Sequence, residues 1–330
     1  MIFMTRVFIV CLLLLCVSCS GKGNTNIQSQ VGQSEAAVEK VPVTETMQET
    51  EATQGSGSLA ESLQMEMFYC TDTDRVYFND YIAYIEPFKS YEMPELIIKT
   101  AYFFLNKPYV ASTLEFEPEG LVVNLRELDC TTFVETVLAL SRAVKLSDNP
   151  TFEDFCGQLR NIRYRRGTVG DYTSRIHYFS DWIYENETRG HVKDVTKEIG
   201  GESYKLKLNY MSTHPDSYRQ LKSHPEYIEI VRKNEMDISE RNVYSNIPVT
   251  RIISCGEKMK DGDVVCFVTG IEGLDITHVG FIHINKGQLT FIHASSSAKK
   301  VIINPQDLSG YLERNKSNIG VMIVRPYELK

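Results

Sequence analysis

Three side chains in this sequence could together carry out nucleophilic chemistry: Cys130, His278 and His293. Cys130 lies in Leu128-Asp129-Cys130-Thr131-Thr132-Phe133-Val134-Glu135, where a loop gives way to apolar residues at helical spacing. A free thiol has a pKa of about 8.5, so only a few per cent is thiolate at neutral pH. A helix N-terminus carries roughly half a positive charge and unpaired N–H groups. The sequence therefore predicts a sulfur biased toward the thiolate, with N–H groups placed to meet the oxyanion that forms when it attacks a carbonyl. A cysteine at a helix start also serves as simple packing, so the motif needs a base before it means catalysis.

A hairpin supplies that base. Val279–Ile284 and Leu289–Ala294 are apolar runs joined by Asn285-Lys286-Gly287-Gln288, a hairpin turn signal. With Lys286-Gly287 at the turn centre, His278 faces Ser295, and His293 becomes its diagonal neighbour on the same face. His283 falls on the other face. A slip of one residue would destroy this pairing. Cys130 as nucleophile, His278 as base and His293 as orienter then make a set for thiol attack on an amide. No metal or other cofactor is called for. The chain has no His-Glu-x-x-His and no Cys-x-x-Cys, which argues against zinc amidase chemistry and against a structural zinc site.

The elements that must hold these residues divide the chain in two. Residues 94–105 begin with Pro94 and Glu95 and turn strongly apolar, predicting a buried helix. A second helix is expected over 130–144, and 151–245 reads as helical and irregular. After Asp261-Gly262-Asp263, a turn signal, come strands at Val264–Thr269, along the hairpin, and at 320–325. Helices followed by an antiparallel sheet indicate an α+β fold, with one domain over 63–330.

The N-terminal stretch is of another kind. Residues 1–19 hold one Arg and an apolar run, Val7–Val17, shorter than the roughly 20 residues of a bilayer span. They read as a signal peptide ending at Cys16-Val17-Ser18-Cys19, which resembles a lipobox with Cys19 as the lipidated residue; a plain signal peptide is the alternative. Residues 20–62 are polar and poor in large apolar side chains, as expected of a flexible tether. Beyond the leader, Cys70, Cys130, Cys156, Cys255 and Cys266 remain, an odd number that leaves a thiol unpaired if disulfides form. The net charge of −8 argues against nucleic acid as a partner.

The motifs resemble the NlpC/P60 branch of the papain-like cysteine peptidases: Pro108-Tyr109-Val110, Asp129-Cys130, Gly262-Asp263, His278-Val279-Gly280 and Ile292-His293-Ala294. More narrowly, LVVNLRELDCTTFVETVLAL, YRRGTVGDYTSRIHYFSDWI, GLDITHVGFIH and FIHASSSAKKV resemble the DUF1460, N-acetylmuramoyl-L-alanine amidase-like subfamily, from about residue 94 onward. Asp129-Cys130-Thr131-Thr132 departs from the Asp-Cys-Ser-Gly of most NlpC/P60 enzymes, and that departure is the subfamily's own pattern. The resemblance implies a papain-like fold in which 151–245 is a mostly helical insertion. It implies a peptidoglycan or muropeptide substrate cut between the muramoyl lactyl group and L-alanine, and an envelope lipoprotein, periplasmic and monomeric. It further suggests substrate contacts at Tyr109, Arg126, Asp129, Arg175 and His177, each of which also has a structural reading. Two alternatives stay open: an endopeptidase cutting between D-glutamate and the diamino acid of the stem, and a wall-binding lipoprotein without catalysis.

Overall fold

The computed structural model describes residues 67–329. The expected signal peptide, the lipidation site at Cys19, the 20–62 tether and the first residues of the expected 63–330 domain lie outside them. Helices run over Asp72–Ile85 (α1), Met93–Phe103 (α2), Cys130–Leu146 (α3), Phe152–Arg163 (α4), Phe179–Thr188 (α5), Tyr210–Thr213 (α6), Arg219–Ser223 (α7), Glu226–Glu240 (α8), Ile252–Gly256 (α9) and Leu308–Arg314 (α10). Strands are Phe68–Tyr69 (β1), Leu121–Val122 (β2), Val192–Asp194 (β3), Glu202–Ser203 (β4), Ser245–Pro248 (β5), Val264–Thr269 (β6), Ile276–Asn285 (β7), Gln288–Ser295 (β8), Lys300–Ile303 (β9) and Asn318–Pro326 (β10).

Eight strands form one sheet in the order β4-β5-β10-β6-β7-β8-β9, with β3 also pairing β10. Every pairing in it is antiparallel. The mixed class and the antiparallel sheet expected from the sequence are both present. The stretch 151–245, expected to be helical and irregular, also supplies β3 and β4 to this sheet. These strands are two or three residues long, too short for an alternating pattern to announce them; pairing to β10 and β5 makes them strands.

Helix α3 is the centre of the packing. Asp129 caps it, its carboxylate accepting from the Thr132 amide at 2.8 Å while the Thr132 hydroxyl accepts from the Asp129 amide at 2.9 Å. Nearly every side chain from Cys130 to Val144 is buried, so the helix is enclosed rather than amphipathic. Phe133 packs edge-on against Phe281 of β7 at 5.8 Å and against Phe104 at 6.4 Å. Burying one such ring contributes about 1.5–3 kcal/mol, and these contacts seat the start of α3 on the sheet. On the sheet's other face, Phe267, Ile282, Phe291, Val321 and Ile323 form a second cluster with Leu308 and Leu312 of α10.

The hairpin register is the one its turn dictates. Lys286 and Gly287 both have positive φ, 52° and 82°, as a two-residue turn matching strand twist requires. Phe281 pairs with Ile292 and Asn285 with Gln288. At the far end of β7, Phe267 pairs with His278 and Val268 with Ile276, so Thr277 is an extra, bulged residue immediately before His278. Bulges bend a strand and re-aim the adjacent side chains.

Candidate active site

Cys130 is the first residue of α3 and only 2% exposed. The Val279 backbone and Thr131 are the groups beside its sulfur that favour the thiolate. The sulfur therefore lies against β7 at the residue next to His278. Both groups favour the thiolate, as the helix start was expected to do. Burial, followed by the charge of neighbouring Asp129, outweighs them and pushes the thiol up to about 12. The groups expected to favour the anion are thus present at the helix start, and burial opposes them.

His278 Nε2 and His293 Nδ1 are 2.6 Å apart, the rings nearly perpendicular. The diagonal pairing drawn from the turn is therefore present. Gly280, two residues after His278 on the same face, makes room for it. A Cβ there would lie 2.7 Å from the Ile292 carbonyl and 3.1 Å from the His293 Cβ. Burial lowers His278 to about 4. It holds His293 well below the usual imidazole value, with the His278 charge adding to the effect and the Asn304 side chain opposing it. Both rings are neutral at pH 7. His293 Nε2 is buried without a well-formed partner, and Asn304 is the side chain beside it. His283 is on the other face, as expected, hydrogen-bonded to the Tyr102 hydroxyl and to Asp261, both at 2.8 Å.

His278 and His293 line a cavity of about 620 Å³ together with Tyr109, Ser295–Ser297, Asn304, Tyr311, Arg314 and Asn318. Tyr109 is half-buried, and its hydroxyl is raised by burial first and then by the charges of Cys130 and Asp129. It thus stands between the cysteine and the cavity that holds the histidines. Cys130 itself is not among the lining residues.

The other residues singled out from the motifs fall elsewhere. Asp129 caps α3. Arg126 pairs with the buried Asp74 at 3.2 Å and lines a separate cleft with Ser112, Thr113 and Glu115. Arg175 is buried between Glu115, at 3.0 Å, and Glu119, at 3.6 Å. The His177 ring bonds the Tyr172 carbonyl through Nε2 at 2.8 Å, and burial followed by the Arg175 charge lowers it to about 3. The structure does not bring Arg126, Arg175 and His177 into the cavity. Sequence reasoning missed Tyr311, Arg314, Asn304 and Asn318, polar residues with no periodic or motif signal of their own. Thr277, the bulged residue before His278, donates its hydroxyl to Asn318 Oδ1 at 3.1 Å.

A family model described as AmiA-like, N-acetylmuramoyl-L-alanine amidase-like, matches residues 99–321, a span holding Tyr109, Cys130 and both cavity histidines. Among solved structures, an N-acetylmuramoyl-L-alanine amidase from Bacteroides uniformis ATCC 8492 is similar at 35% identity and TM-score 0.67, covering 72% of this chain and 99% of that one. A Bacteroides fragilis protein proposed to be a xylanase is similar at 37% identity and TM-score 0.64, covering 68% and 98%. A Legionella pneumophila str. Philadelphia 1 protein under the DUF1460 family model shares the fold at 22% identity and TM-score 0.58, covering 78% and 95%. No curated protein matches.

Proposed function

The chain belongs to the AmiA-like, N-acetylmuramoyl-L-alanine amidase-like family, and from that premise we propose that it hydrolyses the amide between a muramoyl lactyl group and L-alanine by thiol catalysis on a papain-like, NlpC/P60 scaffold. The observation that carries the thiol reading is the 2.6 Å His278–His293 contact in the cavity, next to Val279, whose backbone acts on the Cys130 sulfur.

The protonation states set the mechanism. With the thiol near 12 and His278 near 4, the resting site is a neutral thiol beside a neutral imidazole, so the proton moves as the substrate is attacked rather than beforehand. In the productive tautomer His278 donates from Nε2 to His293 Nδ1, leaving Nδ1 of His278 free to take the thiol proton. The sulfur bonds to the amide carbon, and the oxyanion meets N–H groups at the start of α3 and the Tyr109 hydroxyl. The C–N bond then breaks as His278 returns the proton to the leaving amine. Water, deprotonated by the same imidazole, hydrolyses the thioester, and the free thiol and a lactyl carboxylate result. Asp129 acts through the cap it places on α3, and the N-terminal segment would serve as a lipid-anchored tether holding the enzyme at the envelope.

Glycosidase chemistry, suggested by the name of one neighbour, flanks its bond with two carboxyl groups about 5–10 Å apart. Among the described residues, no Asp or Glu lines this cavity. The endopeptidase alternative uses the same thiol chemistry and is separated by product mass. Digestion of purified muropeptides should release stem peptides beginning with L-alanine. Sugars that still carry L-alanyl-D-glutamate would assign the chain to the endopeptidases, and intact muropeptides would leave a binding protein.

A further inference from the structure

The wall of the cavity has a charge pattern that the thiol chemistry does not use. The chain carries 43 Asp and Glu residues, yet among the described residues none lines the cavity, and Arg314 is the one Lys or Arg that does. Arg314 is exposed in the last turn of α10. No described side chain pairs with its guanidinium, whereas Arg126, Arg163, Arg165, Arg175, Arg241 and Arg325 all meet carboxylates. Its position relative to the histidines follows from Tyr311. That ring lies 6.2 Å from the His293 ring and 4.9 Å from Phe291, so α10 is docked against the base pair. Residues three apart share a helix face and are separated by about 4.5 Å along the axis. Arg314 therefore stands one turn beyond Tyr311, on the face that looks onto the histidines.

An unpaired guanidinium in a cavity without carboxylates favours an anionic ligand, and its planar fork suits a carboxylate. An extended peptide advances about 3.3–3.6 Å per residue. A guanidinium one helical turn beyond a ring that lies 6.2 Å from His293 is placed to meet the second or third residue of a bound stem. Resting on the amidase reading and refining it, we propose that Arg314 anchors a free carboxylate on the second or third stem residue, making the site selective for acidic over amidated stems.

The test measures binding apart from turnover. In the full chain bearing Cys130→Ala, calorimetry would compare N-acetylmuramoyl tripeptides with every carboxylate amidated against the same peptides with one carboxylate free at residue two or three. The free-carboxylate peptide should bind about tenfold more tightly, the scale of a charge-assisted hydrogen bond, and added salt should reduce the difference. Adding Arg314→Gln should collapse the preference, while Arg314→Lys should restore part of it. In the catalytically intact chain the same preference should be read mainly in KM. Equal binding of both peptides, or a preference that survives Arg314→Gln, overturns the proposal while leaving the amidase reading standing. If no muramoyl peptide is bound or cleaved, the amidase reading fails and this one falls with it.

Discussion

Two polar regions of the molecule lie against the same helix and treat their charges in opposite ways. Below α3, Glu135 meets Arg163 at 2.7 Å, Arg163 also donates to the Val122 carbonyl, and Arg175 sits between Glu115 and Glu119. The Tyr164 hydroxyl closes this network on Glu119 at 2.8 Å. At the start of α3, by contrast, the thiol has one carboxylate beside it, the two imidazoles hydrogen-bond each other, and among the described residues no carboxylate pairs with Arg314. The first region uses its charges to fix the chain. The second leaves hydrogen-bonding capacity toward a cavity, as a site for an incoming molecule must.

The largest expected effect breaks the comparison at the open region. Cys130→Ala removes the covalent route, and turnover of muropeptides should fall by roughly 10⁶-fold, the loss seen when a nucleophile is deleted. Deleting one sulfur atom beside Val279 should leave cooperative unfolding in place, so the circular-dichroism melt should remain a single transition. Turnover that persists at the native rate would end the thiol reading.

Glu135→Ala attacks the closed region. Removing one partner of a buried ion pair leaves Arg163 uncompensated, at a cost of about 3–5 kcal/mol. Urea midpoints should show this loss, and whatever folds should retain the native kcat at low temperature. A variant as stable as the native chain would mean that water reaches Arg163 and that the network is not closed.

His293→Ala lies between these two. It removes an orienting ring rather than the base, so kcat should drop by about 10- to 100-fold, less than for His278→Ala, where roughly 10²–10⁴ is expected from loss of general acid–base catalysis. Equal losses for both variants would place His293 in direct contact with the reacting atoms.

The contrast between the regions also explains what could be read from the residues alone. The hairpin pairing of His278 with His293 was legible because strand alternation and a two-residue turn leave one register. The burial of Cys130 was not. A helix start is visible in Asp129-Cys130-Thr131-Thr132, but the enclosure that raises the thiol comes from α3 packing on β7, between residues far apart in the chain. A motif says that a residue is present, not which way it faces, so Arg175 and His177 read as substrate contacts in the sequence. In the fold they serve the closed network and its surroundings. Arg314 went unmarked for the converse reason: a lone arginine ending a seven-residue helix looks like a cation placed against a helix dipole. The strands β3 and β4 were missed because two or three residues carry no period.

The smallest effect is a pH displacement, and it sharpens the comparison most. Activity in this reading needs His278 unprotonated. Burial holds it near 4 rather than 6.5, so kcat/KM should stay level as pH falls through 6.5 and decline only near 4. Stability should behave differently. His177, His191 and His278 are all depressed by burial, to about 3, about 4 and about 4. Between pH 6.5 and 4 the unfolded chain therefore binds more protons than the native one, and native stability must fall as pH falls through that window. Initial rates taken well below the melting temperature separate the two effects. His293→Ala opens space beside His278 and lets water reach it, so the acid limb of kcat/KM should move upward, toward the 6.5 of a solvated imidazole. His177→Gln, which keeps a donor for the Tyr172 carbonyl outside the cavity, should leave that limb where it is. An acid limb already at 6.5 in the native chain would mean that the imidazole is solvated, and that the neutral-pair mechanism gives way to a preformed thiolate and imidazolium.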